Sequence, residues 1–458
     1  MKKRQFIKTA SALLTGTALS PLISCSEEKK TVNENITNWA GNLTYSTTKI
    51  DSPKTSGEVS AIIKSSKKLR ALGTRHCFNT IADSDARLLS TNELTEVGSV
   101  DERANTITVG GGIRYGELCE LLHNKGLALH NLASLPHISV AGACATATHG
   151  SGANNGNLST GVSALELVTG AGDVINLSRA TDQDAFNGAV VNLGALGVIT
   201  KVTLDLVPTF FVAQIVYLNL PIQQLEEHFD EIMTSGYSVS LFTDWQSDSI
   251  NQVWIKDVTA SDKPILPKKE FFGAQPADRN VHPIIEISAE NCTEQMGVPG
   301  PWYERLPHFK MGFTPSSGEE LQAEYFVPRD KAVAAIKKVM TLREDLKSIL
   351  FITEIRAIAA DELWMSPCYH QPSVAIHFTL KQQTEAVLRF LPKVEELLSE
   401  FNVRPHWGKL FTISPATLQS RYQRLDDFVQ LMKKYDPEEK FRNEFINSRI
   451  VPASPQSI

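Results

Sequence analysis

Cysteine patterning is the first thing this chain lacks. Its six cysteines, Cys25, Cys77, Cys119, Cys144, Cys292 and Cys368, include no Cys-x-x-Cys pair and no metal-type spacing, so neither a metal site nor a disulfide framework is supported. No internal repeat is present, which excludes solenoids and propellers. There is no Gly-x-Gly-x-x-Gly after a strand and no Gly-x-x-x-x-Gly-Lys-Ser/Thr loop, so Rossmann and Walker modes of holding phosphate lose support. Positive charge is also in short supply: 45 Lys and Arg face 51 Asp and Glu, a formal net charge of −6. Setting aside the four cations of the acid-free first 24 residues, Lys2, Lys3, Arg4 and Lys8, takes the rest of the chain from −6 to −10. An acidic body argues against nucleic acid as a partner.

What is present is the composition of an ordinary soluble enzyme: 458 residues, 42% hydrophobic and 21% charged, enough for two or three domains with large cores. Residues 1–25 follow the grammar of an export signal, a basic cluster, a short apolar stretch and small residues before Cys25. That stretch is shorter than the ~20 residues a membrane-spanning helix needs. Leu22-Ile23-Ser24-Cys25 resembles a lipobox, which makes Cys25 the expected lipidation site and the protein a membrane-anchored bacterial lipoprotein on the periplasmic or outer-surface side. Lys3-Arg4-Gln5-Phe6-Ile7-Lys8 resembles a twin-arginine signal with Lys in place of its first Arg.

A polar linker follows at 26–38. Residues 39–210 alternate short strand-like runs (106–109, 164–169, 197–206) with helical patterns (59–67, 115–125) and turns, an α+β pattern. Beyond Pro208 longer helices are predicted at 222–233, 329–339, 385–400 and 418–434. The expected division is a first domain at 39–210, a second at 211–409 and a C-terminal stretch, 410–458.

Five segments carry chemistry. Gly73-Thr74-Arg75-His76-Cys77-Phe78-Asn79 is a turn whose backbone N–H groups suit an anion. Residues 133–152 are so poor in large side chains that they pack badly as core but suit backbone lying flush against a flat cofactor. In Thr353-Glu354-Ile355-Arg356 the period of a strand puts Glu354 and Arg356 on one face, and in Ile376-His377-Phe378-Thr379 it does the same for His377 and Thr379. His406-Trp407-Gly408-Lys409-Leu410-Phe411 places a lysine amid aromatics, where it can meet developing negative charge. The blander readings are a loop histidine, solvent-facing polar pairs and an ordinary glycine turn at Gly110-Gly111-Gly112.

Taken together and in order, these segments resemble the alditol oxidase (xylitol oxidase) branch of the vanillyl-alcohol oxidase flavoprotein family, which also includes the aldonolactone oxidases. The resemblance runs from about Trp39 to Phe445. It implies an α+β fold: a two-subdomain FAD-binding domain, to which 410–458 returns, and an α+β substrate-binding cap. His76 matches the histidine bonded covalently to FAD, a bond that raises the flavin's potential. Ala71, Leu72, Gly73, Thr74, Arg75 and Cys77 match other FAD contacts, as do Ser134, Ser139, Gly142, Thr146, Ala147, Thr148, His149 and Ile199. A second link through Cys144 occurs in some relatives, but alditol oxidases have a single one.

Ser134, Gln322, Glu354, Arg356, His377, Thr379 and Lys409 match the substrate pocket. Arg356 and Lys409 are expected to stabilise the C1 oxygen as its proton leaves, with hydride passing to flavin N5. The remaining polar groups grip the other hydroxyls, Glu354 also being placed to orient Arg356. The implied reaction oxidises a terminal alcohol of an alditol to the aldose, with O2 returning H2O2 and small Ala133 leaving room for it. Two alternatives stand beside it: an aldonolactone oxidase or dehydrogenase on the same scaffold, and a non-catalytic polyol- or glycan-binding lipoprotein. No metal is implied, and the family leans towards a monomer.

Overall fold

The computed structural model describes residues 36–259, 263–312 and 319–452. The export-signal segment, Cys25 and most of the 26–38 linker lie outside the described residues. A small parallel sheet comes first, in the order Ile50–Asp51, Leu88–Ser90, Arg70–Leu72. The helix Ser56–Lys64 packs beside it because Val59 and Ile63, one turn apart, are both fully buried, and Thr55 caps it by accepting from the Glu58 backbone N–H. Next is a five-stranded antiparallel sheet, ordered Val97–Asp101, Thr106–Gly110, Val198–Asp205, Val162–Val168, Val174–Ser178. Its central strand buries Thr200, Val202 and Leu204 while the residues between them stay half-buried, the alternation of a sheet covered mainly on one face.

The larger sheet draws every strand from beyond Thr209. Its nine strands include, side by side, Phe211–Pro221, Ser249–Thr259, Ser238–Thr243, Leu350–Ile358, Ser373–Lys381, Glu320–Pro328 and Arg404–Pro405, all paired antiparallel. Ala332–Met340 and Thr384–Leu398 are among the helices packed near it. The latter buries Val387, Phe390, Leu391, Val394 and Leu398, a continuous stripe at helical spacing.

The last stretch is stitched to the first. Buried Arg70 donates to carbonyls of Ile81, Leu193, Gly194 and Phe441, Leu69 N bonds Lys440 O at 2.9 Å and Gly170 N bonds Tyr435 O at 2.8 Å. Asn443 Nδ2 reaches the carbonyls of Thr80, Ile81 and Asp83.

One expected element differs. The helix predicted over 418–434 is two helices, Pro415–Ser420 and Leu425–Tyr435. Ser414 caps the first with proline at its start. The break falls where Tyr422 is buried with its ring 4.8 Å from that of Trp407, a packing that one continuous helix does not offer.

Candidate active site

Cross-strand register assembles one wall of the site. Gln322 and Glu324 share a face of their strand, as do Glu354 with Arg356 and His377 with Thr379. Pairing sets Glu324 opposite His377 and His377 opposite Glu354, with Gln322 opposite Thr379 one step along. Three polar pairs from three adjacent strands therefore lie in one patch. Lys409 enters from the end of the neighbouring Arg404–Pro405 strand.

At the centre is Glu324, 1% exposed. Arg356 Nη2 donates to its Oε1 at 2.6 Å and Lys409 Nζ to its Oε2 at 2.6 Å, while His149 Nε2 lies 3.2 Å from Oε1. Burial alone would raise this carboxyl; Lys409 and Arg356, then His149 and His377, reverse that and hold it well below the usual carboxylate range. Glu354 accepts from His308 Nε2 at 2.7 Å and lies 3.6 Å from Arg356 Nε. Burial is again overcome, here by Arg356 and His308, so its carboxyl is also held low.

The rings around them move the other way. Burial, with Lys409 next, lowers His377 to about 4; burial, with Lys256 next, lowers His308 to about 4. His149 and His406 are lowered too, first by burial. Two carboxylates, two cations and neutral imidazoles leave the patch close to electrically neutral, which is what makes so many charges tolerable in a buried site.

Lys409 donates to His377 Nδ1 at 2.7 Å, so His377 carries its proton on Nε2, 3.2 Å from Thr379 Oγ1. Of the three ammonium hydrogens, Glu324 and His377 take two and one is left for a ligand oxygen. Trp407 is not part of this environment: it points away, donating to Met365 O at 2.6 Å. The carboxylate and imidazoles, not aromatics, surround the lysine.

The facing wall is built from small residues and backbone. The turn after Arg70–Leu72 carries Arg75 in the left-handed region at φ 63° and is pinned by Trp39 N to Arg75 O and Phe78 N to Gly408 O. Asn79 Nδ2 bonds the carbonyls of Trp407 and Lys409 at 2.8 and 2.7 Å, which locks the His76 turn to the Lys409 turn. The His76 ring stacks on Trp39 with centroids 5.1 Å apart, and its Nδ1 lies 3.1 Å from Thr74 Oγ1. Burial, with His137 next, lowers it to about 4. Ser134 ties the walls together, its Oγ 3.5 Å from Arg356 Nη1 and its carbonyl accepting from His308 N at 3.1 Å.

Between the walls is a cavity of about 590 Å³. Of the expected FAD contacts, Ala71, Leu72, Gly73, Thr74, Arg75, His76, Cys77, Ser134, Gly142, Thr146, Thr148, His149 and Ile199 line it, and so does Ala133; on the substrate side Gln322, Glu354, Arg356, His377, Thr379 and Lys409 do. Ser139 and Ala147 lie behind it, fully buried or nearly so. A Cβ on Gly73 or on Gly142 would stand 2.9 Å from Ser139 Oγ, so both glycines permit a close approach of backbone that a side chain would block. Cys144 does not line the cavity; its thiol is buried, pushed up to about 11, and packs near Tyr115 OH.

Two residues of the charged patch, Glu324 and His308, have no place in the segments singled out from the sequence, and a third, His406, stands in the 406–411 segment without a role of its own. Gln322-Ala323-Glu324 repeats the polar-x-polar pattern of Glu354-x-Arg356 and His377-x-Thr379, a signal that marks Glu324. Nothing local marks His308, which lies in the loop before the Glu324 strand.

The residues fit FAD. Among the described residues no backbone N–H of 74–77 donates a hydrogen bond within the chain, as an anion-binding turn requires. His76 Nε2 is buried without a partner, and the small-residue wall leaves room for a flat ring.

Comparison with known proteins agrees. A model of the FAD binding domain matches residues 48–178, and one of D-arabinono-1,4-lactone oxidase matches residues 317–449. The alditol oxidase of Streptomyces sp. (strain IKD472 / FERM P-14339) is 47% identical over 414 residues, 90% of this chain and 98% of the relative. The L-gulono-1,4-lactone dehydrogenase of Mycobacterium tuberculosis (strain CDC 1551 / Oshkosh) is 29% identical over 91% of this chain and 99% of its own. Cholesterol oxidase from B. sterolicum shares the fold, with a TM-score of 0.73 at 15% identity over 91% of this chain and 96% of that one. Fold and site define an FAD-dependent oxidoreductase acting on CH–OH groups. The chain belongs to the alditol oxidase branch of the vanillyl-alcohol oxidase family, related to the aldonolactone oxidases.

Proposed function

We propose that this enzyme oxidises the terminal primary alcohol of an open-chain alditol of the xylitol or sorbitol type to the aldose. The observation that carries this reading is the patch itself. Donors and acceptors alternate from Gln322 and Thr379 through His377 to Glu354, Arg356 and Lys409, in one cavity with the His76 turn. A flexible polyol needs a partner for every buried hydroxyl. FAD, when bound, supplies the hydride acceptor. Arg356 and the remaining hydrogen of Lys409 favour the alkoxide at C1 as its proton leaves. Glu354, His377, Thr379 and Gln322 hold the other hydroxyls, and Glu324 fixes the spacing of the two cations. His76 carries the covalent bond to FAD, and O2 is the electron acceptor, giving H2O2.

The test is a panel of xylitol, sorbitol and aldonolactones added to the yellow protein without oxygen. Bleaching by alditols at low concentration is expected; bleaching by none of them sinks the proposal. Preference for a lactone would move the assignment to the second reading, which the match of residues 317–449 to D-arabinono-1,4-lactone oxidase favours. Flavin fluorescence in the denatured protein band, lost in His76→Ala, tests the covalent bond. Export and lipidation at Cys25 belong to the same proposal, and Cys25→Ser should release the protein from membranes. Among the described residues no helix is long and apolar enough to cross one.

A further inference from the structure

Lys256 lies outside the cavity and has no obvious reason to be a lysine. It sits on the strand Ser249–Thr259, 1% exposed. Among the described residues its Nζ has no carboxylate within salt-bridge distance; its partners are Leu306 O at 2.6 Å, Pro307 O at 3.0 Å and His308 Nδ1 at 3.1 Å. Burying an ammionium-sized charge against neutral groups is costly, and an apolar side chain would fill the slot at less expense. Two of the partners are carbonyl acceptors, and Nδ1 accepts as well when the ring proton sits on Nε2, so that the three hydrogens of an ammonium are matched one to one.

We propose that Lys256 is a positioning residue: by donating to Nδ1 of His308 it confines that ring's single proton to Nε2 and so keeps Glu354 a full carboxylate facing the cavity. The logic follows from His308 having Glu354 on one side and Lys256 on the other. Without a donor at Nδ1, an imidazole bonded to a buried carboxylate takes a second proton and becomes imidazolium, cancelling the carboxylate's charge. With the ammonium there, Nδ1 has no vacant lone pair. His308 then gives Glu354 one neutral N–H, and the negative charge of Glu354 stays available to Arg356 and to a ligand hydroxyl.

The charged groups facing His308 are Lys256 from one strand and Glu354 and Arg356 from another. The rings of Phe242, Trp254 and Phe309 cover the remainder. Arg305 and the thiol of Cys292, itself pushed up to about 12, are the further groups near Lys256. Burial lowers both members of the pair, Lys256 to about 7 and His308 to about 4, so a shared proton resides on the lysine. The ligand-binding role of Glu354 rests on the proposed function; the protonation of His308 does not.

Histidine-labelled holoenzyme read by long-range proton–nitrogen NMR tests this, with the His308 signals assigned by their loss in His308→Gln. The expected wild-type pattern is a protonated Nε2 and a bare Nδ1 between about pH 7 and about pH 4, the values to which Lys256 and His308 are lowered, where the lysine is an ammonium and the ring is neutral. An Nδ1–H tautomer or an imidazolium in that window overturns the proposal, and this needs no Lys256 variant to fold. In Lys256→Met, His308 should take its second proton at a pH at least about one unit higher than in wild type. KM for the substrate should rise about tenfold with kcat changed less, the equivalent of one charge-assisted hydrogen bond, and Lys256→Arg should restore the wild-type pattern in part. An unchanged His308 titration in Lys256→Met also overturns it. Correct NMR behaviour with no alditol or lactone bleaching the flavin would instead count against the function proposed above.

Discussion

The two walls of the cavity solve different problems with different materials. The wall of residues 71–77 and 133–149 is backbone, glycine, alanine and threonine, with His76 and Arg75 among its few titratable groups. The wall on the nine-stranded sheet is charge: Glu324, Glu354, Arg356 and Lys409, interleaved with the lowered imidazoles of His308, His377 and His406 and met by His149 from the facing wall. A flat cofactor that stays bound needs shape and a turn of free N–H groups, which small residues provide. A chain of hydroxyls that must enter, react and leave needs directional partners whose charges are already balanced. The two materials fail in different ways, which makes the contrast testable.

Acid should break the charged wall with the largest effect. His308 and His377 are held at about 4 in the folded protein, below the usual 6.5 or so. Between those values the unfolded chain takes up a proton that the folded chain refuses, so stability falls as pH drops from about 6.5 to about 4. The loss is on the order of 3 kcal/mol for each ring. Glu324 and Glu354, held low, add a loss as pH falls further, below the usual carboxylate range. Calorimetric unfolding midpoints of the holoenzyme that stay flat from pH 6.5 to 4 would contradict the neutral-imidazole description.

Next is Glu324→Gln, which removes the anion between two buried cations and leaves them to repel. Breaking a buried pair in this way costs about 3–5 kcal/mol. The thermal midpoint should fall sharply while the variant, where folded, still binds FAD. Retained stability would mean that Arg356 and Lys409 find other partners.

The opposite wall is sharpened by Gly73→Ala. Its new Cβ would stand 2.9 Å from Ser139 Oγ, an overpacking of about 1–3 kcal/mol. Weaker FAD retention is the expected result. Adding Ser139→Ala removes the oxygen in the way and should recover the flavin content; a double variant no better than the single one would show that the glycine is needed for another reason.

The contrast also explains how much was legible beforehand. The small-residue wall is two continuous segments, so its composition can be read along the chain, and 12 of the 14 expected contacts within them line the cavity, with Ile199 added from the five-stranded sheet. The charged wall is one row only after four strands pair. Strand period placed Glu354 with Arg356 and His377 with Thr379, but the role of Glu324 comes from lying opposite His377 in a pairing no local pattern encodes. His308 comes from a loop, where no periodicity operates. The helix expected over 418–434 divides for a similar reason, since Tyr422 answers to Trp407, far away in neither sequence nor space but invisible to helical period.

The smallest expected effect tests the finest division within the charged wall, between groups at the reacting oxygen and groups that measure the chain. Thr379 is only half-buried and its hydroxyl meets His377 Nε2 at 3.2 Å; it has no direct bond to Arg356, Glu354 or Lys409 among the described residues. Thr379→Val keeps the shape and deletes one neutral hydrogen bond, worth about 0.5–1.5 kcal/mol. Under the proposed function that loss belongs to a distal hydroxyl, so KM should rise about two- to tenfold with kcat nearly unchanged. It should rise more for a long alditol than for one too short to reach Thr379. An equal loss in kcat for every substrate length would place Thr379, through His377, in the group that sets the charge on Lys409, and the wall would then act as one unit.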